Sequence, residues 1–160
     1  MVFGRLANDV EMIASICEEN GISYKDGGTV FSRCGDDIEK IVKLCKEYGI
    51  EYKKGGNIFK RNPDEIEKIV GLCKKYGIKY KQGGTIFAQS AEETERIIEV
   101  CEKYGVNYKR GGTVFNKTAS EIEQIILYCD DMKLPYKNGG VVFTRSLDEL
   151  KKSIDVCRRL

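Results

Sequence analysis

The chain has 160 residues, of which 41% are hydrophobic and 32% are charged, and its formal net charge is +2. This composition is typical of a folded chain, and it includes no apolar run long enough to span a bilayer, which excludes a transmembrane helix. The first residues, "MVFGRLANDVEM", have neither the basic start nor the apolar core of an export signal. We therefore expect a cytoplasmic protein with no membrane partner.

The sequence is an internal repeat with a period of 28 residues. Shifting the chain by 28 aligns it without gaps over its whole length, which is typical of a solenoid. The aligned phenylalanines are Phe3, Phe31, Phe59, Phe87, Phe115 and Phe143. We predict a single array over residues 1–160. Its six units are approximately 1–29, 30–57, 58–85, 86–113, 114–141 and 142–160.

Each unit contains one predicted helix, because apolar residues recur at helical spacing between an N-terminal capping residue and a glycine. In the fourth unit, Ser90 stands three residues before Glu93, which is the spacing of a capping box. Gly105 ends that helix and Val106 follows it, as in a left-handed C-cap. The fifth unit departs, because Lys133 replaces the glycine. The predicted helical segments are 6–20, 34–48, 62–76, 90–104, 118–132 and 146–160.

The segment that connects two helices, "YKDGGTVF" in the first unit, predicts a turn followed by a short strand. Thr-Val-Phe favours extended backbone, and a glycine pair is unfavourable inside a helix. The predicted fold class is therefore an α/β repeat solenoid, in which each unit has one helix, a Gly-Gly turn and a short strand-like segment. The alternative is an all-α superhelical solenoid in which "GGTVF" forms a tight helical turn.

Six of the seven cysteines follow the same period, on the apolar side of the predicted helices. Helices that pack side by side lie about 8–10 Å apart, whereas a disulfide needs Cα atoms within about 7 Å of each other. We therefore expect buried, reduced thiols. Because the chain has no histidine and no CxxC pair, we predict neither a zinc site nor a cofactor.

Positive charge is concentrated outside the predicted helices. The helical segments carry a net charge of −11 and the connecting segments +13, which together give the +2 of the chain. Stacking converts each repeated position into a row, so the lysine after each repeated tyrosine forms a row of ammonium groups. That lysine row is Lys25, Lys53, Lys81, Lys109 and Lys137, and the arginines predicted to bind beside it are Arg33, Arg61 and Arg145. Regular cations, tyrosines and bare glycine amides suit a polyanion, so we predict that this edge binds nucleic acid.

One position varies while its neighbours stay constant. It stands directly before the glycine pair, as Asp26, Lys54, Gln82, Arg110 and Asn138. Arginine and lysine donate to guanine, glutamine and asparagine pair with adenine, and aspartate accepts from cytosine. We therefore consider this position a candidate for base readout, with one side chain per unit. A second position varies just as freely, as Ser23, Glu51, Lys79, Asn107 and Pro135. Ordinary drift of an exposed loop tip is the alternative.

Two short motifs resemble DNA-binding repeats. The run "LCKKYG" at 72–77, together with a glycine pair that follows a variable residue, resembles the repeat of TAL effectors. The stretch "FTRSLDEL" at 143–150, with its following helix, is similar to the repeat of mitochondrial transcription termination factors. Both families are all-helical superhelices, so the resemblance implies an all-α array that binds DNA and reads it with the residue before the glycines. The repeats of both families are longer than the 28-residue unit found here.

The sequence does not predict an enzyme. It has no histidine and no nucleophile motif, and nearly every polar residue is repeated, whereas a catalytic site is a unique constellation. We expect a non-enzymatic, modular binding solenoid whose partner is nucleic acid, DNA in preference to RNA, with no small-molecule substrate. The alternative is a scaffold for peptides or acidic proteins, or a designed or structural repeat array.

Overall fold

The computed structural model describes residues 7–25 and 28–159. Six α-helices begin 28 residues apart in this part of the chain: α1 (Ala7–Asn20), α2 (Gly35–Tyr48), α3 (Pro63–Tyr76), α4 (Ala91–Tyr104), α5 (Ala119–Asp131) and α6 (Leu147–Arg159). A 3-10 turn precedes each of the last five helices, at Thr29–Ser32, Asn57–Lys60, Gly84–Phe87, Thr113–Asn116 and Val141–Phe143. Each α-helix packs against the next α-helix, and each 3-10 turn packs against the next 3-10 turn. The array therefore has a helix layer and a turn layer.

The predicted strand is wrong, and the described residues have the all-α architecture of the alternative. The Phe59 N–H donates to the Gly56 carbonyl over 3.3 Å, which closes the backbone into a turn where a strand would continue. A strand sends consecutive side chains to opposite faces, but here both apolar residues enter the core, since Ile86 is 1% and Phe87 0% exposed. The Val-Phe or Ile-Phe pair is therefore explained by burial, and its β-propensity does not decide the backbone.

The predicted helices agree with the observed ones to within one residue at each end, because their boundaries are set by local capping. Ser90 Oγ accepts from the Glu93 N–H, and Thr118 and Glu121 form a complete capping box. Gly105 has φ 67° and closes α4 with a left-handed C-cap. At the equivalent position after α5, Lys133 has φ 55° and is the one non-glycine residue with positive φ in the described part of the chain.

A continuous apolar core lies between the helix layer and the turn layer. The prediction that the repeated cysteines are buried is confirmed for five of them, Cys17, Cys45, Cys73, Cys101 and Cys129. Burial raises the pKa of Cys45, Cys73 and Cys101 to about 12. Cys157 is exposed, because no helix of the described chain covers that face of α6. None of the helices in the described ranges has the length and apolarity that crossing a membrane requires.

One polar side chain interrupts the core of the helix layer. Thr94 is 0% exposed, and its hydroxyl has no hydrogen-bond partner. The same position of other units holds Ile38, Ile66 and Ile122, all of them buried. Because an unpartnered buried hydroxyl is unfavourable, Thr94 is a local defect in an otherwise apolar row.

Candidate nucleic-acid interface

The repeated Tyr-Lys-x-Gly segment forms a four-residue turn. In the third unit, the Gly83 N–H donates to the Tyr80 carbonyl over 2.9 Å, and the same bond closes the turns of the second, fourth and fifth units. The lysine and the variable residue are therefore the two corner residues of the turn. Both corner residues are exposed in each of these four units. This geometry explains how a constant loop presents one constant cation and one variable side chain.

A backbone hydrogen bond joins each of these turns to the preceding unit. The Glu51 N–H donates to the Lys81 carbonyl over 2.7 Å, and the Lys79 N–H donates to the Lys109 carbonyl over 2.9 Å. The equivalent bonds run from Ser23 to Lys53 and from Asn107 to Lys137, each over 2.7 Å. The lysine that carries the exposed ammonium thus also accepts the inter-unit bond. Its position relative to the neighbouring lysines is set by backbone geometry.

The glycine pair belongs to this scaffold. Gly83 has φ 65°, and a Cβ there would lie 2.9 Å from the Glu51 carbonyl oxygen of the preceding unit. The carbonyl of the second glycine accepts a side-chain bond across the units, as in Thr85 Oγ1 to Gly112 over 2.8 Å. Because the N–H of the first glycine is used to close the turn, the predicted role of both glycine amides as an anion site is wrong for Gly55, Gly83, Gly111 and Gly139, whereas Gly27 lies outside the described residues. Close approach of adjacent units therefore explains the first glycine of the pair, whereas the second glycine is explained by its positive φ, which is 82° at Gly84.

The lysine row is exposed along its whole length, at Lys25, Lys53, Lys81, Lys109 and Lys137. The Lys109 ammonium donates to the Tyr76 carbonyl over 2.7 Å and lies 5.4 Å from the centroid of the Tyr108 ring. The ammonium groups of Lys53, Lys81 and Lys137 make no hydrogen bond or ion pair with described residues. Most of the row is therefore free to contact a ligand.

The predicted arginines are engaged in contacts of their own. Arg33 Nη2 donates to the Lys60 carbonyl of the next unit over 2.6 Å, and Arg61 Nη1 lies 3.7 Å from Glu65 Oε2. Both side chains are half-buried, and each has a buried Nε without a partner. Arg145 is exposed and donates from Nη1 to Ser153 Oγ over 2.7 Å. Phosphate binding by these three arginines stays a prediction, and Arg33 has a structural role between units.

Three of the variable residues line clefts between adjacent turns. Lys54, Gln82, Arg110 and Asn138 are exposed, whereas Asp26 lies outside the described residues. Gln82 and Arg110 line a cleft of about 610 Å³ between the third and fourth units. Arg110 and Asn138 line a second cleft, of about 440 Å³, between the fourth and fifth units. Two consecutive pairs of candidate readout residues, Gln82 with Arg110 and Arg110 with Asn138, therefore each share one cleft.

Most of the repeated tyrosines pack into the array and are not open faces for a base. Tyr52, Tyr108 and Tyr136 are buried. The Tyr108 hydroxyl donates to Glu102 Oε1 over 2.8 Å. The pKa of Tyr108 is raised, mainly because the ring is buried and secondly because of this bond to the Glu102 carboxylate. Tyr24 makes the equivalent bond to Glu18 over 2.6 Å. The tyrosine row is therefore mainly part of the scaffold.

Lys79 is a candidate binding residue that the sequence did not distinguish from ordinary variation of an exposed loop position. It lines the larger cleft together with Lys81, Gln82 and Arg110. The signal in the sequence was the run "KYK" at 79–81, because the other repeated tyrosines follow Ser, Glu, Asn or Pro.

No protein-family model matches the chain, and no curated protein or solved structure matches it either. The resemblance to TAL-effector and mitochondrial transcription termination factor repeats therefore depends on the quoted motifs alone. Among the described residues there is no group of three or more His, Cys, Asp or Glu side chains that could hold a metal ion.

Proposed function

We propose that the chain is a non-enzymatic, modular binding solenoid whose lysine row binds the phosphate backbone of nucleic acid, DNA in preference to RNA. The observation that carries this proposal is the repeated corner pair: an exposed lysine beside an exposed variable residue, on a turn fixed by a backbone bond to the neighbouring unit. Phosphate contacts position a protein on nucleic acid, and base contacts specify the sequence. The free thiols of the core are consistent with a cytoplasmic location.

The distribution of charge supports a polyanion as the partner. The connecting segments carry a net charge of +13, and the helical segments carry −11. A polyanion is therefore attracted to the turn side of the array and repelled from the helix side. This asymmetry gives the proposed complex one orientation.

We further propose that the residue before the glycines selects the base. Its side chain has no part in the backbone ladder, and neighbouring members share a cleft. Gln82 is expected to prefer adenine and Arg110 guanine, because these side chains form bidentate pairs with the edges of those bases. Each matched pair contributes about 1–3 kcal/mol of discrimination.

The first test is binding of labelled single- and double-stranded DNA and RNA across a salt series. If about five lysines contact phosphate, log K against log salt has a slope of about −4 to −5 for a duplex. Substitution of the five lysines of the row by Ala should remove most of that slope. The matched control changes five exposed helix lysines to Ala: Lys40, Lys43, Lys68, Lys151 and Lys152.

The control variant has the same net charge as the test variant, so an equal loss in both would indicate a general charge effect without a defined surface. Absence of DNA and RNA binding at low salt would overturn the proposal. Poly-glutamate that competes as strongly as DNA would favour the acidic-protein alternative.

Base readout is tested with Gln82→Arg in a panel of oligonucleotides that differ at one base. The preference at that base is expected to change from adenine to guanine. An unchanged preference, with affinity and salt slope intact, would leave phosphate binding standing and reject readout at this position.

A further inference from the structure

The larger cleft of the loop edge has a chemical composition of its own. Its lining includes Lys79, Lys81 and Arg110 and no carboxylate, and the half-buried Tyr80 ring borders it. The side chains of the three cations make no hydrogen bond or ion pair with any described residue. Three available positive charges and one aromatic ring therefore line the same cleft of about 610 Å³. This volume is within the range of small-ligand sites.

The sequence of the third unit creates this composition. The position of Lys79 is occupied by Ser23, Glu51, Asn107 and Pro135 in other units. At this position the second unit therefore has the carboxylate of Glu51, whereas the third unit has the ammonium group of Lys79. Elsewhere on the surface, the clefts between α1 and α2 and between α3 and α4 are lined by several carboxylates.

Tyr80 also differs from its equivalents. Tyr24 and Tyr108 donate their hydroxyls to a glutamate six residues earlier, but Lys74 occupies that position relative to Tyr80. The Tyr80 ring is half-buried, and its hydroxyl makes no hydrogen bond with a described residue. An aromatic face that borders the cleft and keeps a free polar tip can take part in ligand binding.

We propose that this cleft binds one nucleotide. Lys79 and Lys81 hold the phosphate, the base packs against the half-buried Tyr80 ring, and Arg110 stays available for the next base of a strand. Gln82, at the same cleft, supplies hydrogen bonds to the edge of the base. The glycine pairs of the two turns also line the cleft and add no side chains to it. An anion alone would not use the aromatic ring, and a purely apolar ligand would not need the cations.

This inference rests on the proposed function and makes it more specific. The shared chemistry is a nucleoside phosphate, which exists free or as one residue of a bound strand. In the second case the cleft anchors the strand, and the remaining lysines of the row contact flanking phosphates. The experiment separates the two sources.

The experiment is calorimetric titration with dAMP, dGMP, dCMP and dTMP, with inorganic phosphate as the reference, followed by titration with a single-stranded DNA oligonucleotide. We expect one mononucleotide per chain, bound at least tenfold more tightly than phosphate. The diagnostic variant is Lys79→Asn, because asparagine is the native residue of the fourth unit and retains the N–H that bonds to the next turn. It should weaken nucleotide binding at least tenfold. The control, Lys68→Ala, removes an exposed lysine of α3, outside the lysine row, and should change nucleotide binding less than twofold.

A tenfold loss for mononucleotides supports a free nucleotide as ligand, and a tenfold loss for the oligonucleotide alone supports a nucleotide within a strand. If Lys79→Asn changes neither affinity more than twofold, the inference is overturned. In that case oligonucleotide binding that still depends on the lysine row would leave the proposed function intact. Mononucleotide binding without any oligonucleotide binding would retain the site and reject the proposed function. Amide chemical shifts that change mainly at 78–86 and 110–112 would locate the bound nucleotide.

Discussion

The helix layer and the loop edge hold the same units together by different interactions. In the helix layer, rows of buried side chains such as Ile38, Ile66 and Ile122 pack between neighbouring helices. At the loop edge, backbone groups bond across the units, as from Glu51 to Lys81, and glycines permit close approach. The helix segments are negatively charged and the connecting segments are positively charged.

Because backbone bonds hold the loop edge together, its constant residues and its variable residues have different explanations. At the loop edge the constant glycines and phenylalanines are accounted for by the scaffold, so their repetition is not evidence of ligand binding. The variable corner side chain contributes nothing to the scaffold bonds and is exposed. Variation on a rigid support is therefore the better indicator of a binding surface in this array.

The largest expected effect tests whether the turn layer is part of the core. Phe87→Ala should lower the free energy of unfolding by about 3–5 kcal/mol, because it removes a fully buried aromatic side chain. Urea unfolding followed by circular dichroism measures the change. Val141→Ala, in the equivalent turn, is the control, since Val141 is 73% exposed and its loss should have little effect. A cost below about 1 kcal/mol for Phe87→Ala would mean that the turn layer is not a structural core.

The next effect concerns close packing at the loop edge. Gly83→Ala should cost about 2–3 kcal/mol, because it combines an unfavourable positive φ with a Cβ 2.9 Å from the Glu51 carbonyl oxygen. Gly55→Ala, at the same position of the second unit, has φ 73° but a Cβ 3.7 Å from the Ser23 carbonyl oxygen, so it should cost about 1 kcal/mol less. Urea unfolding of the pair isolates the contribution of the contact. Equal costs would contradict close approach between units at this position.

One substitution should have opposite signs in the two regions. Thr94→Val removes an unpartnered buried hydroxyl from the helix layer and should stabilise the chain by about 1–2 kcal/mol. Thr85→Val removes the hydroxyl that donates to the Gly112 carbonyl and should destabilise it by about 1 kcal/mol. Midpoints and slopes of urea unfolding measure both changes. If both substitutions changed the free energy of unfolding in the same direction, the helix layer and the loop edge would not differ in how they use a threonine hydroxyl.

The smallest effect is at the end of α5. Lys133→Gly should stabilise the chain by about 1 kcal/mol, because glycine adopts φ 55° without the steric cost of a side chain. The control is Lys43→Gly on an exposed position of α2, where glycine should cost about 1 kcal/mol. Thermal unfolding should show opposite shifts of the midpoint. A lower midpoint for Lys133→Gly would indicate that the lysine side chain makes a stabilising contact.

The helix boundaries could be predicted from sequence because they depend on neighbouring residues. Ser90 and Glu93 begin α4, and Gly105 ends it, through bonds within a few positions of the chain. The 3-10 turns could not be predicted in this way. Thr-Val-Phe has the composition of a strand, and only the position of the core on one side of the backbone shows why both apolar residues turn inward.

The candidate interface was predictable to a similar extent. Turn chemistry indicated that the lysine and variable positions would be exposed, and they are exposed wherever the structure describes them. The bond from Arg33 to the Lys60 carbonyl depends on the neighbouring unit, so the sequence alone did not indicate it. Lys79 was missed because alignment of repeats treats a difference in one unit as drift. Its meaning depends on Arg110, a residue of another unit that lines the same cleft.

The buried cysteines provide each of the first five units with an internal reporter. Thiols react as thiolates, and a buried thiol whose pKa is about 12, as at Cys45, Cys73 and Cys101, remains almost entirely protonated at neutral pH. Such a sulfur can be labelled only when the surrounding structure opens. A pulse of alkylating reagent given at successive times during unfolding would therefore label each cysteine once its surroundings have opened. Mass spectrometry of the peptides would then give the order in which neighbouring units separate, and no label or mutation needs to be introduced beforehand.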